Sequence, residues 1–461
     1  MIRMRAFVSL VILLGLLSSA GRATQASPAQ DGQVLTLDQC IKLALENNSA
    51  LLNAERTYRL AGTTVMSSRA GLLPRLNVNL SSGRIRQGDR TLESDVPVGV
   101  NPDGTVKYER REITQPGFSS SSNQAQLSAS QTVFDFGASI NRLRQSNASE
   151  EASRFSFESA RQSTILLVKD RYFGHLRNLD LLEVYQEAVK SSEEQLKRTE
   201  SMYEIGSVAQ GDVFRARTQL GNERINLINQ QNAVQNSRAL LNVALGRPAD
   251  AALSIADIEE VPELKSYQMD EVLKIAEEQN PELQAVEQNK RSAKIGINVA
   301  RAAYLPSFTI SGFYSRSNNE FNKVYADFSK NWFGSVSLGM SLNLFNGFAD
   351  QASLEREQLN YRIAEEDATD RRRNLRLEVE QALLSLQAWK EITAINGDNL
   401  VSAQEDLRLA QERYRVGAGT LLDIITAQVN VTRAKSTLVN AKYESMKAQA
   451  SLEASMGVLQ L

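Results

Sequence analysis

Two hydrophobic periods divide this chain of 461 residues. Val336, Leu338, Met340, Leu342 and Leu344 alternate with Ser335, Ser337, Gly339, Ser341 and Asn343, a period of two that predicts a strand with one apolar and one polar face. Leu76, Val78 and Leu80 alternate in the same way with Asn77, Asn79 and Ser81. Partner strands are expected near 124–133 and 307–315, giving two β-hairpins, 75–133 and 307–344, and four strands per chain. Elsewhere the period lengthens to about 3.5, the seam of a coiled coil. Leu182, Tyr185, Val189, Ser192, Leu196, Thr199 and Tyr203 follow it, as do Leu400, Ala403, Leu407, Ala410 and Tyr414. No proline interrupts the stretch from Asp135 to Tyr203, so the spacing predicts a helix of roughly 65 residues, about 100 Å long. Such a rod needs partners along its whole length.

The two halves of the chain repeat one another. Tyr203/Tyr414, Gly206/Gly417, Asp212/Asp423 and Gly246/Gly457 share an offset of 414 − 203 = 211, as do Phe134 and Phe345. Upstream, Asp38/Asp270, Asn48/Asn280 and Leu51/Leu283 share 270 − 38 = 232, so the first half holds 232 − 211 = 21 additional residues between Pro74 and Phe134. A unit of roughly 200 residues exceeds solenoid periods and reads as half of one fold. The first repeat spans 34–247 and the second 268–459, each ordered helix, hairpin, long helix, turn, helix; 248–267 is the connector. The 21 extra residues are expected as a loop of the first hairpin, rich in Gly, Pro, Asp and Ser.

Strands of about ten residues with alternating faces are the signature of a transmembrane β-barrel. Four strands cannot close one, and open edges are not tolerated in lipid. The chain is therefore expected to oligomerise, and three copies give twelve strands with room for an aqueous lumen. The fold class that follows is a mixed membrane β-barrel and α-helical coiled-coil barrel, internally duplicated, with four strands plus long helices per chain and a trimer closing the 12-stranded barrel. The competing architecture is a water-soluble helical scaffold with a small β cap.

The N-terminus supports export: Arg3 and Arg5 precede an apolar run from Ala6 to Leu17 and the small-residue segment SSAGRA, which reads as a signal peptide over 1–23. Cleavage after Ala23 removes three arginines and moves the formal charge from -2 to about −5, against nucleic-acid binding. The single cysteine, Cys40, excludes an intrachain disulfide and reads as a small core residue on a helix between Leu37, Ile41 and Leu45.

The opening LTLDQCIKLALENNSALLNAE, the strand starts AGLLPRLNV and AAYLPSFTI, the strand ends FDFG and LFNG, and the paired YEIG and YRVG turns together resemble the outer-membrane efflux protein (TolC-like) family. The resemblance covers almost all of the mature chain and implies a homotrimeric, passive channel-tunnel. Its barrel would cross outer-membrane lipid and its helices the periplasm. Its partners would be a periplasmic adaptor (membrane fusion) protein and an inner-membrane efflux pump or ABC-type secretion transporter. A non-conducting trimeric envelope scaffold is the alternative.

Each Tyr-x-Ile/Val-Gly turn reads as a helix end at a left-handed residue. Ser207-x-x-Gln210 resembles a capping box, and Thr420-x-x-Asp423 is its acidic relative, so the chain reverses at once into the next helix. The helix-tip turn and adaptor contact are assigned to Tyr203, Gly206, Ser207, Tyr414, Gly417 and Ala418. By the resemblance, Asp423 occupies an acidic position of the periplasmic constriction, with Thr426 and Asp212 the other candidates there. Thr426 stands where relatives often place a second acid, and Gly419 replaces a family arginine that ties neighbouring helices. Gln219, Asn222, Asn226, Asn229 and Asn236 recur at near-helical steps as lumen lining or a solvated face. Trp332 suits an interfacial girdle or ordinary packing, and Trp389 a helix core.

Enzymatic chemistry finds no foothold in these residues. His175 is the only histidine, and no P-loop, paired cysteines or HExxH occurs. No catalytic, cofactor or metal site is expected. The run Arg371–Arg373 reads as a solvated helix face rather than an anion site.

Overall fold

A computed structural model describes residues 34–258, 267–326 and 329–459; the signal segment 1–23 lies outside them. In chain order, the first half contains β1 (Val34–Leu35), α1 (Leu37–Asn47), α2 (Ser49–Ala70), β2 (Arg75–Gln87), β3 (Arg90–Val100), β4 (Val106–Gln115), β5 (Phe118–Phe134), α3 (Ala138–Glu204) and α4 (Gln210–Ala244). The second contains β6 (Ser254–Ile255), α5 (Met269–Gln279), α6 (Pro281–Ala302), β7 (Ser307–Asn318), α7 (Phe321–Ala326), β8 (Trp332–Ser341), α8 (Ala349–Arg415) and α9 (Leu421–Ser455). The connector is not structureless: β6 pairs in parallel with β1.

Four strands form one antiparallel sheet in the order β2-β5-β7-β8, with β2 and β8 as its edges. Register fixes the faces. Leu76, Ala129, Gly312 and Val336 lie in one row, and Val78, Leu127, Tyr314 and Gly334 in the next, so one face is apolar and exposed. The opposite face carries Asn77, Ser128 and Ser335, then Asn79, Gln126 and Ser315. Aromatic pairs mark both ends of the apolar band. Phe134–Phe136 and Phe345–Phe348 lie at the helix side, with centroids 4.7 and 5.5 Å apart, and Tyr314 stacks on Trp332 at 6.0 Å beyond.

The first hairpin departs from expectation. Its additional residues are not a loop but a second antiparallel ribbon, β3 paired with β4, so this segment holds four strands rather than two. Period-two alternation is weak there because the ribbon is exposed on both faces. At its base Gly117 backs onto the Gln87 carbonyl, where an added Cβ would lie 2.4 Å away, and the Gly117 N–H donates to Asp89 at 2.6 Å. The last strand also ends at Ser341, short of 344.

The helices build a layer whose partners change midway. Beside the sheet the order is α2-α3-α6-α8, and beyond the waist it is α4-α3-α9-α8. The 67-residue helices α3 and α8 run through both halves, and two shorter helices stack end to end in each remaining position. At the first joint Asn48 caps α2 by accepting from Ala50 and Leu51 N–H, and its amide donates to the Ala244 carbonyl at the end of α4. At the second, Asn280 accepts from Leu283 N–H and donates to the Ser455 carbonyl of α9. Each asparagine thus satisfies orphan groups of two helix ends at once.

Among the described residues the two larger hydrophobic clusters lie at the waist, and a small third one, Ala410, Ile424 and Ala427, lies near the far ends of α8 and α9. Cys40, Ile41 and Ala44 of α1 are fully buried against Ile165, Val168 and Tyr172 of α3 and Tyr443 of α9. Val272 and Ala276 of α5 pack symmetrically on Leu375 and Val379 of α8, with Trp389 half-buried at the margin. The buried line of α3 shares Ser192 and Thr199 with the predicted seam but otherwise runs through Leu181, Ala188 and Gln195, while Tyr203 is exposed. A rod with partners on several sides has no unique apolar stripe. Within the arginine run, Arg372 and Arg373 are exposed as a solvated face would have them, but Arg371 is not. Arg371 is largely buried and pairs with Glu282 at 2.9 Å and Glu378 at 2.8 Å, and Arg372 reaches Glu287 at 3.0 Å, tying α8 to α6.

His175 of α3 is buried, and its Nδ1 lies 2.8 Å from the Ser237 hydroxyl of α4. Burial, with Arg238 nearby, lowers its pKa to about 4 from 6.5. Above pH 6.5 both folded and unfolded chains hold it neutral. As pH falls towards 4 the unfolded chain takes up a proton that the fold excludes, so stability declines, by at most about 3 kcal/mol per chain. His175→Gln should therefore flatten the drop in thermal midpoint between pH 7 and pH 4.5; an unchanged drop would assign the acid sensitivity elsewhere.

Candidate functional site

The end of the helical layer remote from the sheet is formed by two reversals, α3 into α4 and α8 into α9. Both use one backbone device. Gly206 and Gly417 have φ of +73° and +77°. Ser207 N–H donates to Met202 O and Gly206 N–H to Tyr203 O, while Ala418 N–H donates to Arg413 O and Gly417 N–H to Tyr414 O. These are paired Schellman motifs, which satisfy the last carbonyls of each long helix, and five residues, 205–209 and 416–420, separate it from the returning helix. The apolar residues just before each glycine, Ile205 and Val416, are 80% and 67% exposed. Phe214 and Leu422, near the starts of the return helices, are exposed as well.

The returning helices start differently. Thr420 and Asp423 form a reciprocal capping box: Asp423 accepts from the Thr420 N–H and hydroxyl, both at 2.8 Å, and Thr420 Oγ1 accepts from Asp423 N–H. Those Thr420 bonds, backbone first, with Arg413 further off, hold the Asp423 carboxyl below its ordinary range. Ser207 does not cap α4, contrary to its spacing. The N-cap is Ala209, with no side-chain bond, because the helix begins two residues too late for Ser207 to cap it.

Asp423 and Thr426 are both exposed on α9, and the Thr426 hydroxyl is occupied by the Leu422 carbonyl at 2.8 Å. Asp212 is half-buried and pairs with Arg215 of its own helix at 3.3 Å. The repeat-related tyrosines take different surroundings. Tyr414 is half-buried, its hydroxyl 3.6 Å from Met202 Sδ, and its pKa is raised by burial and then by Asp212; Tyr203 is exposed on the free flank. The tip thus brings Tyr414, Met202 and Asp212 together, while Asp423 is exposed at the start of α9. Along α4, Asn222, Asn226, Asn229 and Asn236 are exposed and Gln219 is half-buried. Gln219 donates to buried Glu223 at 2.6 Å, a partner the asparagine pattern did not disclose.

A sheet with an exposed apolar face, continued by a long helical layer that ends in exposed reversals, defines the protomer of a channel-tunnel. The chain belongs to the Outer membrane efflux protein family, which matches residues 40–247 and 272–458. It is 25% identical over 377 residues to outer membrane protein TolC of Escherichia coli K12, covering 78% of this chain and 74% of that protein. It is 24% identical over 430 residues to the toluene efflux pump outer membrane protein TtgC of Pseudomonas putida, covering 91% and 82%. The crystal structure of the outer membrane protein VceC of Vibrio cholerae shares the fold, with a TM-score of 0.74 at 20% identity over 91% of this chain and 96% of that one. This is an outer-membrane protein of an efflux-channel family, and that family is made of channel proteins rather than enzymes.

Proposed function

We propose that three copies close head to tail into a 12-stranded barrel and a continuous periplasmic tunnel. Small molecules or proteins leave through it passively. The observation that carries this reading is the sheet itself: its apolar face is exposed and its edge strands β2 and β8 are unpaired within the chain. In lipid, an edge strand must find a partner, and β8 of one copy meeting β2 of the next supplies it. The helices offer a matching flank. Exposed Ile363, Leu377 and Leu384 line the outer helix α8, and Leu60, Met66, Ile225 and Ile228 line α2 and α4 at the opposite flank.

In that assembly Asp423, Thr426 and Asp212 lie near the periplasmic constriction, and the asparagines of α4 line the lumen. Tyr203, Gly206, Ser207, Tyr414, Gly417 and Ala418 form the tips that meet a periplasmic adaptor working with an inner-membrane transporter. The exposed Ile205 and Val416 support this, since apolar residues at a turn suit a docking partner.

Two measurements test the reading. Purified protein in a planar bilayer should show stepwise ion conductance; insertion of stable trimers without current would establish the non-conducting scaffold. A photo-crosslinking residue at Ser207 or Ala418 in living cells should capture a periplasmic adaptor, and its absence with abundant, folded channel would remove the adaptor from the proposal.

A further inference from the structure

The polar face of the sheet carries one anomaly. Over the rows from Arg75 to Ser81 of β2 and their partners on the other strands, this face is otherwise serine, asparagine and glutamine, with Arg75 its one charge. Two side chains break the pattern: Phe313 of β7 and Phe333 of β8. Phe313 is paired with Ser335, and Phe333 with Ser315, so both rings lie on the polar face. Their centroids are 5.6 Å apart with planes tilted by 55°, and Phe333 is 65% exposed.

The fold does not require them. Serine holds the neighbouring positions Ser335 and Ser337 of the same face, and the apolar face already supplies the membrane contact. A phenyl ring facing water forgoes the burial that stabilises core phenylalanines. The pair lies level with Tyr314 and Trp332 on the opposite face, at the end of β8 remote from the helices.

We propose that Phe313 and Phe333, repeated three times around the barrel axis, form an aromatic collar inside the lumen that binds aromatic solutes as they leave. The proposal rests on the channel reading and names a cargo class for it. The collar's surroundings are hydroxyl and amide groups with little charge, so a passing solute finds there two ring faces per protomer in an otherwise hydrogen-bonding wall. Tilted rings at this separation leave edges and faces open for offset or edge-to-face contact with a third ring.

The test uses two monovalent cations of similar size, tetraphenylphosphonium and ring-free tetrabutylammonium, added to the barrel side of single channels in a planar bilayer. Tetraphenylphosphonium should interrupt the current with dwell times about tenfold longer, as expected for two ring contacts. The Phe313→Ser, Phe333→Ser double variant should lose that difference, and Phe333→Leu, which keeps apolar bulk without a ring, should reduce it should the double variant fail to assemble. Equal dwell times in the unmodified channel, or a difference that survives loss of the rings, would each overturn the collar. A trimer that passes no current fails at the earlier step and overturns the channel reading with it.

Discussion

Gly457→Ala should strongly destabilise the folded protein and lower its level in the outer membrane, far more than the same change at Gly417. Both glycines have φ near +78°, where a Cβ costs about 1–2 kcal/mol. Their surroundings differ. Around Gly417 no atom lies within 4 Å of an added Cβ, whereas at Gly457 it would lie 2.6 Å from Gln279 O and 2.8 Å from Asn280 Cα. Those atoms are backbone of the joint between α9 and α6, so relief requires the stacked helices to separate, adding about 1–3 kcal/mol. Separation also pulls the Asn280 amide from the Ser455 carbonyl. Gly246→Ala should behave alike, since its Cβ would meet Asn47 O at 2.5 Å. The check is the thermal midpoint of the purified assembly for all three variants; equal losses at 417 and 457 would refute the role given to the joints.

If Asp423 rings the proposed constriction, Asp423→Asn should lower the potassium-to-chloride permeability ratio of the channel towards unity. Asparagine is the informative replacement because it keeps an oxygen for the Thr420 N–H while deleting the charge. The helix start then persists, and any change in selectivity reports electrostatics rather than a frayed tip. Three exposed carboxylates near one axis would concentrate cations at the mouth. Thr420→Ala is the complementary variant: it breaks the reciprocal cap but keeps the charge, so it should preserve selectivity. Reversal potentials in a salt gradient decide the matter, and unchanged selectivity in Asp423→Asn would place the carboxylate outside the conduction path.

Much of the architecture was legible along the chain where an element has one dominant environment. Strands β2 and β8 alternate cleanly since one face meets lipid and the other polar surroundings. The Schellman turns were legible because only glycine takes φ near +75° without strain. The ribbon β3/β4 was not, because a hairpin exposed on both faces has no burial to impose alternation. Nor was the role of Arg371, since a charged triplet looks solvated until two glutamates from separate elements close around it. The capping spacing at Ser207 misled for a local reason: helix α4 starts at Gln210, leaving Ala209 as its cap.

By itself the sequence determined the period of the barrel strands and the long helices, the duplication, and the two glycine reversals, whose signals are local pattern or repetition along the chain. Only the tertiary structure decided how Asn48 and Asn280 join stacked helices, which tyrosine of the repeated pair is enclosed, and that Phe313 and Phe333 meet on the polar face. These pairings link residues distant along the chain or break an otherwise regular pattern. Strand register and helix stacking, not local spacing, bring them together.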